Sequence, residues 1–281
     1  MALDGEVINA DSRQVYAGMA LGTGQPDAAM RARVPHLGYG WLSPGDRYSA
    51  ALFVMDACAM IDAVASRNRL PLIVAGTGLY IDSLIGIMPL DRPFADASVR
   101  ARVRREAGVH PQDALHAWLR SISPEAAKRV YAGDSYRTLR ALEAALAARN
   151  GRTSRPRIEP RRDVRIIVLT VAPSVLRARI ERRTADMFAR GLIAEAVAVA
   201  ARHPGAPALS GLGYAEALSA YEGLATVKEA FDLTVRRTLR YAKRQRNWFG
   251  HMPGAVAVPA DDLEAATRAV LRVARETKRS A

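Results

Sequence analysis

The run Asp11-Ser12-Arg13-Gln14-Val15-Tyr16 sets a carboxylate and three polar side chains directly behind the apolar-polar stretch Glu6-Val7-Ile8-Asn9-Ala10. A carboxylate so placed suits general-base work, provided it stands within hydrogen-bond reach of the proton it removes. Ligands of open α/β sheets gather at the carboxyl ends of strands, which favours a chemical role for Asp11. The same residues also fit a plain capping box, with Asp11 capping a following helix and Gln14 reaching back. Gly22-Thr23-Gly24-Gln25-Pro26 fits either close backbone approach to a ligand or an ordinary turn. Gly76-Thr77-Gly78-Leu79-Tyr80 follows a second apolar run. Amides at a helix start there favour an anion, and the bland alternative is a tight turn with Thr77 as cap.

Basic residues gather in three places. In Arg177-Ala178-Arg179-Ile180-Glu181-Arg182-Arg183, Arg179 and Arg183 stand four apart and share one helical face. Such arginines suit bidentate contact with phosphates, unless Glu181 simply balances a solvated face. The run from Arg236 to Phe249 puts Arg236, Arg240, Lys243 and Arg244 on one face beside Tyr241, Trp248 and Phe249. A basic stripe with aromatics is the footprint of phosphate-backbone binding with nearby base stacking. Its alternative buries the aromatics and leaves the cations to water. Tyr136-Arg137-Thr138-Leu139-Arg140 adds a third pair, with Asp134 placed to cap that helix.

Metal ligation has little support. His36, His110, His116, His203 and His251 are scattered without zinc-type spacing, so no metal ligands are assigned. Magnesium carried by a substrate's phosphates needs only one or two protein oxygens and stays open. No serine, histidine and acid combination has the spacing of a nucleophile motif.

These residues need a scaffold, and the pattern supplies one. The opening strand precedes Pro44-Gly45-Asp46 and a helix burying Phe53, Ala57, Ile61 and Val64 that ends near Arg69. Leu70–Ala75 is a continuous apolar run, as in a strand covered on both faces. This alternation predicts a parallel sheet. Residues 96–150 are helical in pattern, with Gly151 as stop, and Arg152 to Arg162 is an Arg- and Pro-rich connection. Val164–Val171 is β-branched and is expected to return to the same sheet. Val175 to Phe249 is helical, broken at His203-Pro204-Gly205 and Gly211-Leu212-Gly213. Ala255–Val258 is a short final strand, and Asp262 to Lys278 a terminal helix with Leu263, Ala266, Val270 and Val273 inward. The expected division is 1–175 as an α/β core that includes the helical 96–150, 176–250 as a mainly helical RNA-binding insert, and 251–281 returning to the core.

The chain has 281 residues and a net charge of +13, which attracts polyanions or merely decorates solvated helices. One cysteine, Cys58, excludes an intrachain disulfide framework. No apolar run is long and charge-free enough for a bilayer span, and Met1-Ala2-Leu3-Asp4 has no signal-peptide character. A cytoplasmic location is expected, with no membrane partner.

Taken together, Asp11–Tyr16, Gly22-Thr23, Pro35-His36, Gly76–Tyr80, Arg140-Ala141-Leu142-Glu143, Gly213-Tyr214 and Arg240–Gln245 closely resemble the tRNA dimethylallyltransferase family in order and spacing, from the first residues to about Phe249. The resemblance implies a P-loop NTPase-like parallel sheet core with helices on both faces and a helical insert. It implies transfer of a dimethylallyl group from dimethylallyl diphosphate, with Mg²⁺, to the exocyclic amine of the adenosine 3′ of the anticodon. By that resemblance Asp11 is the general base and Arg183 the arginine on the leaving diphosphate. Thr77 contacts the tRNA beside the reactive base, and Ser12, Arg13 and Gln14 hold the target nucleotide. Arg100, Arg137, Arg140, Lys243, Arg244 and Gln245 grip the anticodon stem-loop, with Gly213 and Tyr214 among the tRNA-binding positions. A monomer is expected.

Two departures stand out. The family's first strand and its G-x-x-x-x-G-K-[ST] loop have no counterpart in this sequence, so the expectation is a start upstream of Met1. The family's His-His after Pro is Pro35-His36-Leu37 here. Competing expectations are a tRNA-binding remnant impaired for want of the phosphate loop, and a nucleotide kinase-like phosphotransferase with ATP-type nucleotide binding.

Overall fold

The computed structural model describes residues 3–88, 97–149 and 164–278. Gly151 and the Arg- and Pro-rich stretch 152–162 lie outside them. Strand β1 (Gly5–Ala10) is the centre of a three-stranded parallel sheet, between β2 (His36–Leu37) and β3 (Leu70–Ala75). Glu6, Ile8, Asn9 and Ala10 are buried, as a central strand demands. After β1 come the single-turn helix α1 (Ala20–Thr23) and α2 (Ala28–Arg33), then β2 (His36–Leu37). Val7 pairs with His36 and Ile8 with Leu37, a strand too short for periodicity to reveal.

Helix α3 (Ala50–Ala65) starts where Ser49 Oγ accepts from the Leu52 amide at 3.2 Å. It buries Phe53, Ala57 and Val64, while Ile61 stays partly exposed. Phe53 stacks on Tyr80 with centroids 4.2 Å apart, and burying such a ring contributes roughly 1.5–3 kcal/mol. The helix stops earlier than Arg69 because Asn68 takes φ 58, a left-handed turn that Asn tolerates. Strand β3 (Leu70–Ala75) then pairs along all six residues of β1. It is not covered on both faces as expected. Its residues are only partly buried, Val74 is 53% exposed, and β1 is its sole partner among the described residues. Helix α4 (Gly78–Leu84) follows at once.

The helical region 96–150 resolves, within the described residues, into α5 (Ala97–Val109), α6 (Gln112–Ile122), α7 (Pro124–Arg129) and α8 (Ser135–Arg149). Pro111 and Pro124 set the starts of α6 and α7. Val103, Leu115, Leu119 and Leu142 form this region's own core. Asp134 Oδ1 accepts from the Arg137 amide at 2.9 Å, which caps α8.

Strand β4 (Ile167–Thr170) does not return to the first sheet. It pairs in parallel with β5 (Val256–Pro259), Ile167 opposite Val256, in a separate two-stranded sheet. The physical reason is a local apolar cluster: Ile167, Val171, Val256 and Val258 pack with Ala266 and Val270 of the last helix. Between the strands lie α9 (Pro173–Ala189), α10 (Leu192–Arg202), a 3₁₀ turn at Pro207–Ser210, α11 (Tyr214–Tyr221) and α12 (Val227–Phe249). Breaks fall at the two glycine-bearing turns foreseen. Helix α13 (Leu263–Lys278) buries Ala266 and Val273, but Leu263 is 78% exposed because it is the first helical residue.

The chain divides into two compact units, Met1–Met88 with Pro160–Ala281, and Pro89–Glu159. This differs from the expected boundaries. Residues 176–250 belong with the first unit because Met187, Leu192, Val199 and Tyr214 share a core with Val15, Tyr16 and Met19, just after β1. The inserted unit is 89–159 instead. Among the described residues no helix is long and apolar enough to cross a membrane.

Candidate active site

Asp11 sits one residue past β1, and its carboxylate is divided between two tasks. Oδ1 accepts from the Arg13 amide at 2.7 Å and the Gln14 amide at 3.3 Å, closing an Asx-type turn. No helix follows, and Gln14 does not reach back, so the capping box does not form. Oδ2 points at Gly76, where a methyl group would lie 2.1 Å from it. Only glycine leaves room there. Asn9 steadies the turn: its Oδ1 accepts from the Asp11 amide, and its Nδ2 donates to the Asp11 and Gly38 carbonyls.

Thr77 is the N-cap residue of α4, yet its hydroxyl makes no capping bond. Thr77 Oγ1 instead accepts from the Ser12 amide at 3.1 Å and donates to Ser12 Oγ at 3.2 Å, which joins the β1 and β3 turns. Helix α12 crosses this point. Tyr241 Oη and Gln245 Nε2 both donate to the Gly76 carbonyl, and Trp248 Nε1 donates to Asp82 Oδ2 at 2.9 Å. Trp248 lies against Gly78, where a methyl would fall 2.4 Å from its ring. Burial is the main cause that raises the Asp82 carboxyl, with the Trp248 bond opposing it.

Tyr39, Tyr80 and Tyr241 feel the charge of Asp11. Burial first, then the Asp11 charge, pushes Tyr39 up to about 12, and burial dominates the rise at Tyr80 and Tyr241, where Asp11 also contributes. Burial likewise raises Tyr16. All four are neutral hydroxyls at physiological pH. Arg183 belongs to the same field: enclosure lowers its pKa and the Asp11 carboxylate raises it. Its side chain keeps exposed surface, and the guanidinium stays charged.

Arg183 also faces a cavity of about 320 Å³, lined by Leu21, Gly24, Arg179, Arg182, Asp186 and Arg190 among others. Four guanidinium groups against one carboxylate make an anion site. Arg183 Nη2 donates to the Thr23 carbonyl at 3.3 Å. Arg179 donates instead to the Ala260 and Asp261 carbonyls, tying α9 to the turn after β5. Gln14 Nε2 donates to the Thr23 and Gly24 carbonyls at 3.1 and 3.0 Å, so it holds the 22–24 turn.

The basic stripe of α12 is open. Arg236, Arg240, Lys243, Arg244 and Arg246 are exposed, and none has a carboxylate partner among the described residues. The aromatics are not core: Trp248 is 44% exposed, Tyr241 is partly buried, and Arg244 lies 5.5 Å over the Tyr241 ring. In the second unit, Glu143 pairs with Arg140 and, at 3.8 Å, with Arg100, while Arg137 pairs with Asp134 at 3.3 Å.

Tyr214 requires a correction, for it is 1% exposed and sits in the core. Its hydroxyl donates to Glu195 Oε1 at 2.6 Å, so it offers no surface to a nucleic acid. Gly213 is buried too, with φ +88 and its amide on Glu216 Oε2, which starts α11. Glu195 and the Trp248–Asp82 bond were invisible in the sequence, because only the fold brings them to the site. For Asn9 there was a signal, a polar residue inside the strand just before Asp11.

Among the described residues no three of His, Cys, Asp and Glu converge. His36, His116 and His251 each turn a ring nitrogen to a backbone carbonyl. A divalent ion that arrived on phosphate oxygens would find the Asp186 carboxylate in the cavity wall as a protein oxygen.

A family model described as IPP transferase matches residues 14–252. A tRNA dimethylallyltransferase of Roseiflexus castenholzii is 38% identical over 274 residues, covering 96% of this chain and 90% of that one. One from Anaeromyxobacter sp. strain Fw109-5 is 41% identical over 270 residues, covering 93% and 89%. The crystal structure of a tRNA isopentenylpyrophosphate transferase from Bacillus halodurans matches with a TM-score of 0.69 at 31% identity, covering 99% of this chain and 90% of that one. A eukaryotic dimethylallyltransferase solved acting on tRNA has a TM-score of 0.77 at 22% identity over 95% and 72%, a likeness of fold. With the model spanning most of the chain and relatives this similar over nearly all of it, the chain belongs to the IPP transferase family.

Proposed function

We propose that the chain transfers a dimethylallyl group from dimethylallyl diphosphate to the N6 amine of the adenosine 3′ of the anticodon in tRNA. The observation that carries this reading is the cavity that Arg179, Arg182, Arg183 and Arg190 line, with Arg183 also feeling the Asp11 charge. The amine lone pair attacks the donor's C1, the C1–O bond breaks, and its electron pair leaves on the diphosphate. The N6 proton passes to Asp11. Oδ2 is the oxygen for that proton, because Oδ1 is held by two amides. Arg183, with Arg182 and Arg190, disperses the charge that builds on the leaving oxygens. Mg²⁺ bound to the diphosphate would supply further neutralisation there.

Ser12 and Thr77 stand beside Asp11 to meet the target nucleotide, which must leave its stack to be reached. Arg13 is exposed next to them and suits a phosphate. Gln14 and Gln245 serve the same site by fixing the 22–24 turn and the Gly76 carbonyl. Lys243 and Arg244 suit the phosphates of the anticodon stem-loop, and Arg100, Arg137 and Arg140, taken within their own unit, suit RNA phosphates as well. The enzyme works as a cytoplasmic monomer. The relatives matched are named as tRNA transferases, which gives neither the remnant nor the kinase reading support.

The test is direct. The 281-residue chain is incubated with unmodified tRNA, Mg²⁺ and dimethylallyl diphosphate, and isopentenyladenosine is measured after nuclease digestion. Product is expected. tRNA binding without product would leave the remnant, and tRNA affinity insensitive to salt would favour a kinase.

A further inference from the structure

We infer that Glu195 is a positioning residue that fixes the Arg183 guanidinium through the 21–24 turn, an inference that rests on Arg183 holding the leaving diphosphate. Glu195 lies in the first turn of α10, outside the set of residues named at the cavity wall. Its carboxylate receives three donors: Oε2 takes the Leu21 amide at 2.9 Å, and Oε1 takes the Gly22 amide at 2.9 Å and the Tyr214 hydroxyl at 2.6 Å. No cation pairs with Glu195 among the described residues, so its charge goes into holding backbone amides. Such charge-assisted bonds are about twice as strong as neutral ones.

The turn so anchored has little freedom. The Tyr214 ring closes on Gly22, where a methyl would lie 2.6 Å from ring carbons. The next two residues present their carbonyls inward: Thr23 O accepts from Arg183 Nη2 and Gln14 Nε2, and Gly24 O accepts from Gln14 Nε2. Gly24 has φ +69, and a methyl there would fall 2.2 Å from Arg183 Nη2. Leu21 and Gly24 are themselves cavity wall. A chain of bonds therefore runs from Glu195 through the turn to the guanidinium, and Glu195 never touches the ligand. A displacement near 1 Å at a charged group costs up to about a hundredfold in rate.

A double-mutant cycle tests this, with Glu195→Gln, Arg183→Lys and the pair, read as kcat and KM for dimethylallyl diphosphate and as Kd for tRNA. Glu195→Gln is expected to lower kcat/KM for the donor roughly tenfold to a hundredfold, to leave tRNA Kd unchanged, and to add less than about twofold once Arg183 is lysine. Tyr214→Phe removes one donor and should move the same parameter by less. It also carries the cycle if Glu195→Gln fails to fold. An equal loss in the Arg183→Lys background, or equal losses for donor and tRNA, overturns the inference. A donor KM and kcat insensitive to Arg183→Lys itself would sink the diphosphate assignment, and this inference with it.

Discussion

The Tyr241 hydroxyl donates to the Gly76 carbonyl at 2.8 Å, and one helical turn later Gln245 Nε2 donates to the same oxygen at 2.7 Å. The helix that carries the basic stripe is thereby bonded to the turn that faces Asp11 Oδ2. Under the proposed function, RNA phosphates met by α12 and the adenine amine brought to Asp11 would share one frame.

Because two donors serve one oxygen, each single loss is covered by the other. Tyr241→Phe and Gln245→Leu should each cost about 0.5–1.5 kcal/mol in urea unfolding. The double variant should cost more than their sum, since it leaves the carbonyl without a side-chain donor in a partly buried place. Additive losses would mean that the two bonds are independent of each other.

Gly24→Ala asks for a methyl 2.2 Å from Arg183 Nη2 in a residue at φ +69. The guanidinium must move, and the left-handed backbone adds about 1–2 kcal/mol of strain. Donor KM should rise while tRNA affinity holds. Gly78→Ala makes the opposite split, because its methyl meets Trp248 at 2.4 Å and pushes α12 away. Its signature is weaker tRNA binding, measured by filter retention.

Asp11→Asn isolates charge from architecture. Asn keeps an Oδ1 acceptor for the Arg13 and Gln14 amides, so the turn survives, but it cannot take a proton. Turnover should fall roughly 10²–10⁴-fold with tRNA Kd nearly unchanged. Asp11→Ala loses the turn as well, so it should also lower the melting temperature. Unchanged turnover in Asp11→Asn would remove Asp11 as the base.

How far the sequence carried this picture depends on whether a signal was local. Asp11, the Gly76–Thr77 turn and Arg183 each announce themselves within six or seven residues, and the basic stripe within the single run Arg236 to Phe249. The sequence does not place Tyr214, because a Gly-Tyr pair looks alike whether the ring is in a core or on a ligand. Glu195 carried no signal, since its partners Leu21 and Gly22 lie more than 170 residues earlier. The apolar run Val164–Val171 told that a strand exists but not which edge it joins, for that depends on Val256 and Val258 much later in the chain.

The cations of α12 should contribute separately to the salt dependence of tRNA binding. Arg240→Gln or Lys243→Gln should each reduce the slope of log affinity against log salt by roughly 0.7–0.9 if the side chain neutralises one phosphate. Arg237, on the same helix, should behave otherwise. It pairs with Glu216 at 2.5 Å, and that carboxylate is 1% exposed. Arg237→Gln should therefore cost roughly 1–3 kcal/mol of stability by stranding a buried charge, and leave the salt slope alone. Slopes measured between low and moderate salt, beside melting temperatures, separate the two kinds of arginine.

A pH dependence of stability follows from Glu6. Its buried carboxylate on β1 accepts from Arg67 at 2.6 Å, with Arg69 at 3.8 Å. The Arg67 hydrogen bond is the main cause that lowers its pKa below the ordinary carboxylate value, burial opposes it, and the charges of Arg67 and Arg69 add to the lowering. A carboxyl whose folded pKa lies below its unfolded one binds its proton more readily when unfolded. Its stabilisation is therefore fully present above the unfolded value, near about 4.3, and is lost as pH falls through the folded one. Glu6→Gln has no such proton to bind. The gap in melting temperature between the natural chain and Glu6→Gln should be constant from neutral pH down to about 5 and then close steeply. A gap that keeps its size at pH 3 would show that the stabilisation does not depend on the Glu6 charge, and the absence of a gap at neutral pH would show that Gln satisfies Arg67 as well as Glu does.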